Sequence, residues 1–474
     1  MRIVVCVKQA VSGELNPFDA CAYETALQIQ GSEVILLSMG PEKTKDFLLE
    51  LTRLGAQKAY LLCDKAFAGA DTLATAYTLS LAVGKLQPDL VICGRQTVDG
   101  DTGQTGPSLA RMAGLSLITN VMEIQATDNS LTCVARDMRQ YTATYPALIT
   151  VEKINQLRLP SIRSKRGEVI LWNAEALQAD LTRCGTKGSP TKVLASYRNE
   201  AGKRKCQFVE AAMLETLIAQ GLSKEKQRIL PQQGEGEKLK KVWIVGEKCR
   251  EMAESISDDI TLIPRNDTDE EDFITRFVER IKAQNPSAVL WDSDPWSKRI
   301  APQVAALLQT GLCADCTALQ TDGEHLYMFR PAFAGNVVAK IACETRPQMA
   351  TVRTLTEGTA DVVCSIGRGA KAAQKAIEAY VARKNSQNGQ IRFETAASRG
   401  AVDLDLLPYP KQVGLTGKQV NPGVYIAIGI SGAVHHIAGM QQSGTVIAIN
   451  PDRKAEIFDY ADFGIIAKAE ELFQ

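Results

Sequence analysis

The chain has 474 residues, with 54 basic against 54 acidic, 23% charged and 45% apolar. At roughly 100–200 residues per domain, this is room for two to four domains of ordinary globular composition. Zero net charge gives nothing that favours nucleic acid or an anionic membrane as partner; no apolar run approaches the ~18 residues of a membrane span; and twelve cysteines without disulfide-like spacing point to a reducing compartment, the cytoplasm.

The N-terminal MRIVVCVKQA reads as a first β-strand and not a signal peptide, because its apolar run is short and no small-residue cleavage site follows. Further short apolar runs follow in order: EVILLSMG, AYLLCD, DLVICG, VWIVG and AVLWD. Stretches of helical period lie between them, such as TLATAYTLSLAVGKL and IAPQVAALLQTG. This alternation predicts an α/β fold with parallel, doubly wound sheets. The strands are apolar throughout, as strands covered on both faces are.

The chain repeats itself at an offset near 200 residues. QPDLVICG (Gln87–Gly94) lies over NPSAVLWD (Asn285–Asp292), and PALITV (Pro146–Val151) over PQMATV (Pro347–Val352). Between these anchors both copies carry a loop, an amphipathic helix and a strand pair across a turn, at DNS and at DGEH. Two homologous α/β domains in tandem are expected. The stretch Arg183–Gly202, rich in Gly, Ser, Thr and Lys, reads as a linker. A third unit begins near TLTEG, with strands DVVCSIG, GVYIAIG and TVIAIN. The expected boundaries are 1–195, 203–353 and 354–474.

Ligands of doubly wound sheets sit at the carboxyl ends of strands, against helix N-termini. The first copy has a glycine-rich loop there, Gly94 to Gly106, whereas the second has SDPWSKRI. Asp99 and Asp101 would repel a phosphate, so they are expected to cap the helix or bind ribose hydroxyls. In the third unit, SIGRG (Ser365–Gly369) offers a turn with a cation for a pyrophosphate. GISGAVHHIAG offers strand, turn and helix, with His435 and His436 on the helix. Adjacent helical residues point about 100° apart, so one of the two faces a ligand, and chelation of a metal by both is geometrically poor. CxxC spacing at Cys313 and Cys316 reads as accidental, since no further thiolates or histidines stand nearby.

At these strings the sequence resembles the electron-transferring flavoproteins over nearly its whole length. Residues 1 to about 195 resemble the β subunit through VCVKQ, Asn16-Pro17-Phe18-Asp19 and the loop Asp99 to Ala110. Residues from about 205 resemble the α subunit through CADCT, RPAFAGN, RPQMATVR, SRGAVD, LTGK and GISGAVHHIAGM. Both subunits thus occur in one polypeptide, β-like half first. The resemblance implies two tandem domains like adenine-nucleotide hydrolases, plus a C-terminal Rossmann-like or flavodoxin-like domain holding FAD.

Carried over position by position, the resemblance assigns FAD to Arg368, Ser398, Arg399, Val413, Gly414, Leu415, Thr416, Ser431, Gly432, Ala433, Val434, His435, His436 and Asn450. Leu415 and His435 stand where the family has Gln, and Lys468-Ala469 where it often has Asp-Leu. His436 is implied to face the pyrimidine end of the flavin, Thr416 to donate to its N5, and Arg399 to lie beside the ring as a fixed cation.

A second nucleotide, AMP in simple members and FAD in electron-bifurcating ones, is implied at Cys6, Asn16, Pro17, Phe18, Asp19, Asp99, Gly100, Asp101, Thr102, Gly103, Gln104, Thr105 and Gly106. The loop GRQTVDGDTGQTGP is closer to the bifurcating type. The segment from Lys8 to Asn16 is shorter than the family's, as if a β-hairpin were missing. The implied function is electron transfer between flavin dehydrogenases of the acyl-CoA dehydrogenase type and a downstream acceptor, with NADH and ferredoxin or flavodoxin as partners if it bifurcates. The partner loop is implied near Leu157–Ile162. A rival reading is an α/β nucleotide-binding sensor or ligase module without redox function.

Overall fold

The computed structural model describes residues 1–473 apart from 153–154, 199–202, 224–236, 267–268, 333–336, 354–359, 388–389, 415–416 and 419, and the backbone alone at 198, 434 and 435. Two compact units result. One comprises Met1–Ser196, Gln232–Phe333 and Ala339–Thr354, the other Tyr197–Pro231, Ala334–Val338 and Leu355–Gln474.

The first unit holds the two tandem copies. In the first, strands run in the order Ser116–Ala126, Ala147–Val151, Leu90–Gly94, Arg2–Cys6, Glu33–Met39, all parallel, then Lys58–Leu62 and Glu168–Trp172. The second copy repeats that order with Leu312–Cys316, Gln348–Val352, Ala288–Asp292, Val242–Val245, Ile260–Ile263. In the second copy the central strands are buried from end to end, and in the first Leu90–Cys93 are, because helices cover both faces.

The repeat extends to details that the sequence alone does not show. Helices Thr72–Leu86 and Glu270–Gln284 are each capped by an aspartate, Asp71 accepting from the Ala74 N–H at 3.0 Å and Asp269 from the Asp272 N–H at 2.9 Å. Each ends on a left-handed residue, Gln87 and Asn285, both at φ 46°, and each leads into the matching central strand. Both copies also carry a bulge in the equivalent edge-side strand, between Ile118 and Val121 and between Cys313 and Cys316. Its third residue is left-handed in each case, Asn120 at φ 58° and Asp315 at φ 56°. Its N–H donates to a threonine of the neighbouring strand, Thr150 at 3.0 Å and Thr351 at 2.8 Å.

The equivalent helices Thr105–Ala113 and Pro295–Leu308 pack on one another. The Ser108 hydroxyl donates to the Pro302 carbonyl at 3.2 Å, and Arg111 reaches Gln303 at 2.9 Å and Glu271 at 2.6 Å. A small separate sheet takes Thr191–Arg198, Val337–Cys343, Leu326–Ala332 and Ala318–Thr321.

Of the expected linker, the stretch Arg183–Tyr197 is a built part of the fold. Cys184 and Ser189 are buried, the Ser189 hydroxyl donates to the Gly185 carbonyl at 2.6 Å, and Asp71 accepts from both the N–H and the hydroxyl of Thr191. Small polar residues serve here to satisfy one another in a tight turn rather than to keep the chain solvated.

The second unit is one parallel sheet in the order Gln207–Val209, Phe463–Ile465, Thr445–Ile449, Val424–Ile428, Val362–Ile366, Phe393–Ala397. Counting from Val362–Ile366, the order is 2-1-3-4-5, with Gln207–Val209 added at the far edge. Winding reverses between Val362–Ile366 and Val424–Ile428, and that crevice is where such sheets place a ligand. Among the described residues, no helix is long and apolar enough to cross a membrane.

Candidate functional site

In the second unit, three loops meet at the reversal. Gly367-Arg368-Gly369 follows the first strand, Ser398-Arg399 the second and Gly429–Gly432 the third. They touch: the Gly369 N–H donates to the Gly429 carbonyl at 3.1 Å, and a Cβ on Gly367 would stand 2.1 Å from that oxygen. Gly432, at φ 101°, approaches the Ile457 amide so closely that a Cβ would lie 2.2 Å away. The glycines thus serve loop-on-loop contact first.

Ser398 caps the short helix Arg399–Val402 by accepting from the Ala401 N–H at 3.3 Å. The Arg368 side chain runs across Gly400, where a Cβ would meet its Cδ at 2.8 Å. That close approach sets the Arg368 and Arg399 guanidiniums on one rim, both exposed. Among the described residues, Arg399 pairs loosely with Asp403 at 3.4 Å. Ser431 and Ala433 are exposed on the same crevice, while Asn450 is buried and donates to the Ile430 carbonyl at 2.9 Å, holding the turn from beneath. Open cations beside a strand-to-helix turn suit a diphosphate.

The other glycine turn packs on the helix Val434–Met440. A Cβ at Gly439 would stand 2.3 Å from the Gly414 amide nitrogen. Val413 is buried and donates to Ala397, and Lys418 closes the turn by pairing with Glu394 at 2.6 Å. Leu415 and Thr416 lie outside the described residues, as do the side chains of Val434 and His435.

His436 is turned inward. Its Nδ1–H donates to the Val413 carbonyl at 3.1 Å, and its Nε2 accepts from the Tyr425 hydroxyl at 2.9 Å. Burial lowers its pKa to about 4, against the opposing effect of the Val413 bond, so the ring is neutral at physiological pH. A hydrogen bond from this ring to a flavin requires giving up one of those two bonds.

The first unit's loop stands at the reversal between Arg2–Cys6 and Leu90–Gly94. Asn16 clamps it, donating to the Gln96 carbonyl at 2.9 Å and accepting from the Val98 N–H at 3.2 Å. Pro17 opens the helix Pro17–Gln28, and Phe18 and Asp19 are buried behind it. Asp19 lies so close to Gly94 that a Cβ there would sit 2.4 Å from its Oδ1. Burial pushes the Asp19 carboxyl up to about 7 despite hydrogen bonds from Asn16 and the Lys8 N–H.

Cys6 and Cys93 are register partners beneath the loop. Asp99 pairs with Lys8 at 3.3 Å. Asp101 is left-handed, its carbonyl accepts from Arg330 at 3.1 Å, and its carboxyl is pushed up by burial and by the charge of Asp315. The helix begins at Thr105 behind Gln104, so neither aspartate caps it. Thr102 accepts weakly from the Gln104 N–H. Gly103 is needed for its φ of 65°, and Gly106 because a Cβ would strike Thr150 at 2.6 Å; at Gly100 the backbone is unstrained and the space open enough for one.

Three buried polar atoms beside this loop have no hydrogen-bond partner among the described residues: Arg95 Nε, Gln104 Nε2 and Arg330 Nε. Buried polar atoms are rarely left so, and a polar ligand in the loop fits them. Arg330, Arg353 and Lys298 come from the second copy and converge here around Asp315, with Arg353 at 2.7 Å and Lys298 at 2.9 Å. The strings RPAFAGN and RPQMATVR carry the signal: Arg330 is a charge embedded in the otherwise apolar strand Leu326–Ala332, and Arg353 stands directly after Gln348–Val352. The matching place in the second copy is filled by the chain itself. Arg265 donates to Asp292 at 2.9 Å, pairs with Asp294 and lies over Trp296.

The sequence pattern of the electron transfer flavoprotein domain matches residues 3–177 and 264–384. The chain belongs to the electron transfer flavoprotein family. The pattern of that family's FAD-binding domain matches residues 357–441, the reversal loops of the second unit. The electron transfer flavoprotein subunit beta of Megasphaera elsdenii is 38% identical over 231 residues, covering 41% of this chain and 86% of that protein. The caffeyl-CoA reductase-Etf complex subunit CarD of Acetobacterium woodii is 36% identical over 230 residues, 42% of this chain and 87% of that one. The subunit alpha of Thermoanaerobacterium thermosaccharolyticum is 36% identical over 227 residues, 40% of this chain and 69% of that one. Beta-like and alpha-like parts are thus joined in one electron transfer flavoprotein chain.

Proposed function

We propose that this flavoprotein takes electrons from a flavin dehydrogenase of the acyl-CoA dehydrogenase type, or from NADH, and passes them on through FAD held at the reversal of the second unit. FAD would supply the electron-carrying chemistry. The residues bind and bias it. Arg368 offers a cation to the diphosphate, Ser398, Ser431, Gly432 and Ala433 shape the turn, and Arg399 favours negative charge on the ring. Gly414 closes the other side, where the family resemblance would put the Thr416 hydroxyl as a donor to flavin N5. The observation that carries the reading is the 2-1-3-4-5 sheet with two open guanidiniums on the rim of its reversal.

A second nucleotide in the first unit, held by Asn16 to Asp19 and Asp99 to Gly106, is supported by the three unpartnered polar atoms at that loop. The dehydrogenase partner would dock near Leu157–Ile162. There Leu159 and Ile162 are almost fully exposed, while Arg158 anchors the loop to Glu24 at 2.7 Å. The name of the CarD relative, a subunit of a reductase complex, agrees with such docking.

The test is extraction and chromatographic counting of the nucleotides of undialysed protein. Two FADs per chain favour bifurcation, with NADH as donor and ferredoxin or flavodoxin as one acceptor. One FAD and one AMP favour a simple carrier. A colourless protein without flavin would overturn the reading.

A further inference from the structure

The CxxC pair of the second copy does not have the geometry its strand position suggests. In a regular strand, residues three apart point to opposite faces. Here Cys313 pairs with Ala350 and Cys316 with Val352 on the neighbouring strand. Three steps along one strand thus match two along the other. Ala350 and Val352 share a face, so Cys313 and Cys316 do too. The left-handed Asp315, with its N–H donated to Thr351, takes up the extra residue.

The two thiols meet in the same apolar cluster. Their register partners Ala350 and Val352 are roughly 6.6 Å apart along the neighbouring strand, at the upper end of the roughly 4.4–6.8 Å that a disulfide accepts between Cα atoms, so closure requires the bulge to draw the two Cβ atoms together. The equivalent bulge in the first copy brings together Ile118 and Val121, both buried, so the core position asks only for apolar bulk. The second copy puts a thiol at both places.

We propose that Cys313 and Cys316 form a redox-active dithiol that closes to a disulfide with a hydroperoxide as oxidant. Cys313 is the attacking sulfur: the Cys316 thiol beside it, whose S–H donates to the Cys313 carbonyl at 3.9 Å, and the positive charge of Arg330 lower its pKa against burial. Cys316 is correspondingly held protonated. The Cys313 thiolate attacks the peroxide O–O bond, giving a sulfenic acid and releasing hydroxide or alkoxide. The Cys316 sulfur then attacks the sulfenic sulfur, the S–S bond forms, and water leaves with the oxygen. Two thiols lose two electrons and two protons, and the peroxide takes both. The pair brackets Asp315, whose carboxylate holds Lys298 and Arg353, so the bond would fix the backbone beneath that charge cluster.

Treatment of the native holoprotein with stoichiometric hydrogen peroxide, followed by alkylation in denaturant and peptide mapping, tests this. The expected result is a peptide containing both cysteines that is two hydrogens lighter and is restored by dithiothreitol. Cys316→Val, which places in the second copy the residue that Val121 supplies in the first, should instead leave a sulfenic acid at Cys313 that dimedone traps. Both thiols still fully alkylated after peroxide, with the chain folded by circular dichroism, would show two inert core cysteines and overturn the proposal. A sulfenic acid appearing first on Cys316 in Cys313→Val at the wild-type rate would overturn the assignment of Cys313 as the attacking sulfur.

Discussion

The imidazole of His436 shows how one residue serves structure and chemistry on different terms. Its pKa near 4 lies below an ordinary value of 6.5. The unfolded chain therefore takes up a proton first as pH falls. The contribution is fully present above about pH 6.5 and is lost between there and pH 4. At roughly 1.4 kcal/mol per unit, the loss is on the order of 3 kcal/mol. His436→Gln should flatten the acid limb of a thermal-denaturation series between pH 7 and pH 4.5; an acid limb as steep as wild type would place the proton uptake elsewhere. Tyr425→Phe removes the donor to Nε2 and should raise the pKa of the ring, read by the same series as an acid limb shorter and shallower than wild type. Arg399 acts from the open rim. Arg399→Lys keeps the charge but loses the planar fork, and Arg399→Ala loses both. If Arg399 lies against the ring, the first reduction potential of bound FAD should fall slightly in the first variant. In the second it should fall by roughly 60 mV, the low end for a hydrogen bond to a charged group, because the side chain is half exposed. Unchanged potentials in both would place Arg399 away from the flavin.

At the scale of elements, glycines that look alike in sequence do different work. Gly103 is left-handed and Gly100 is not. Gly103→Val costs roughly 1–2 kcal/mol in backbone strain and should empty the first-unit loop of its nucleotide while the second unit keeps FAD. Gly100→Ala should change neither, and chromatography of released nucleotides separates the two. Had Gly103→Val kept a full complement, the loop would not be the binding element. The elements themselves were legible. The apolar runs from RIVVCV to TVIAIN all became parallel strands, and TLATAYTLSLAVGKL became the helix Thr72–Leu86 residue for residue, because continuous apolar runs and helical period report local covering directly. What was not legible depends on tertiary contact. The bulge at Cys313–Cys316 leaves no mark in composition. The inward turn of His436 depends on Tyr425, eleven residues upstream. The stretch from Arg183 looked like a linker because small polar residues mark both free chain and tightly bonded turns.

Over the whole molecule, the repeat is most informative where it fails. Two copies share strand order, helix caps and bulges, yet only the first keeps an open loop at its reversal. In the second, Gly246 sits where a Cβ would strike Asp292 at 2.0 Å and Arg265 at 2.5 Å, and the Arg265 guanidinium occupies the place a ligand would take. Asp292 is buried and also accepts from the Cys249 N–H at 2.9 Å. Removing Arg265 leaves that carboxylate with one backbone donor. The usual cost of breaking a buried pair is about 3–5 kcal/mol; Arg265 is a quarter exposed, so the low end applies. At roughly 2–4 °C per kcal/mol for a domain of this size, Arg265→Ala should melt several degrees below wild type, and Arg265→Lys in between. Its nucleotide content should stay that of wild type, since the filled reversal holds none. A variant that melts lower but also loses one nucleotide per chain would show that the second copy binds a ligand after all, and that the asymmetry of the repeat lies in the identity of the ligand rather than in its presence.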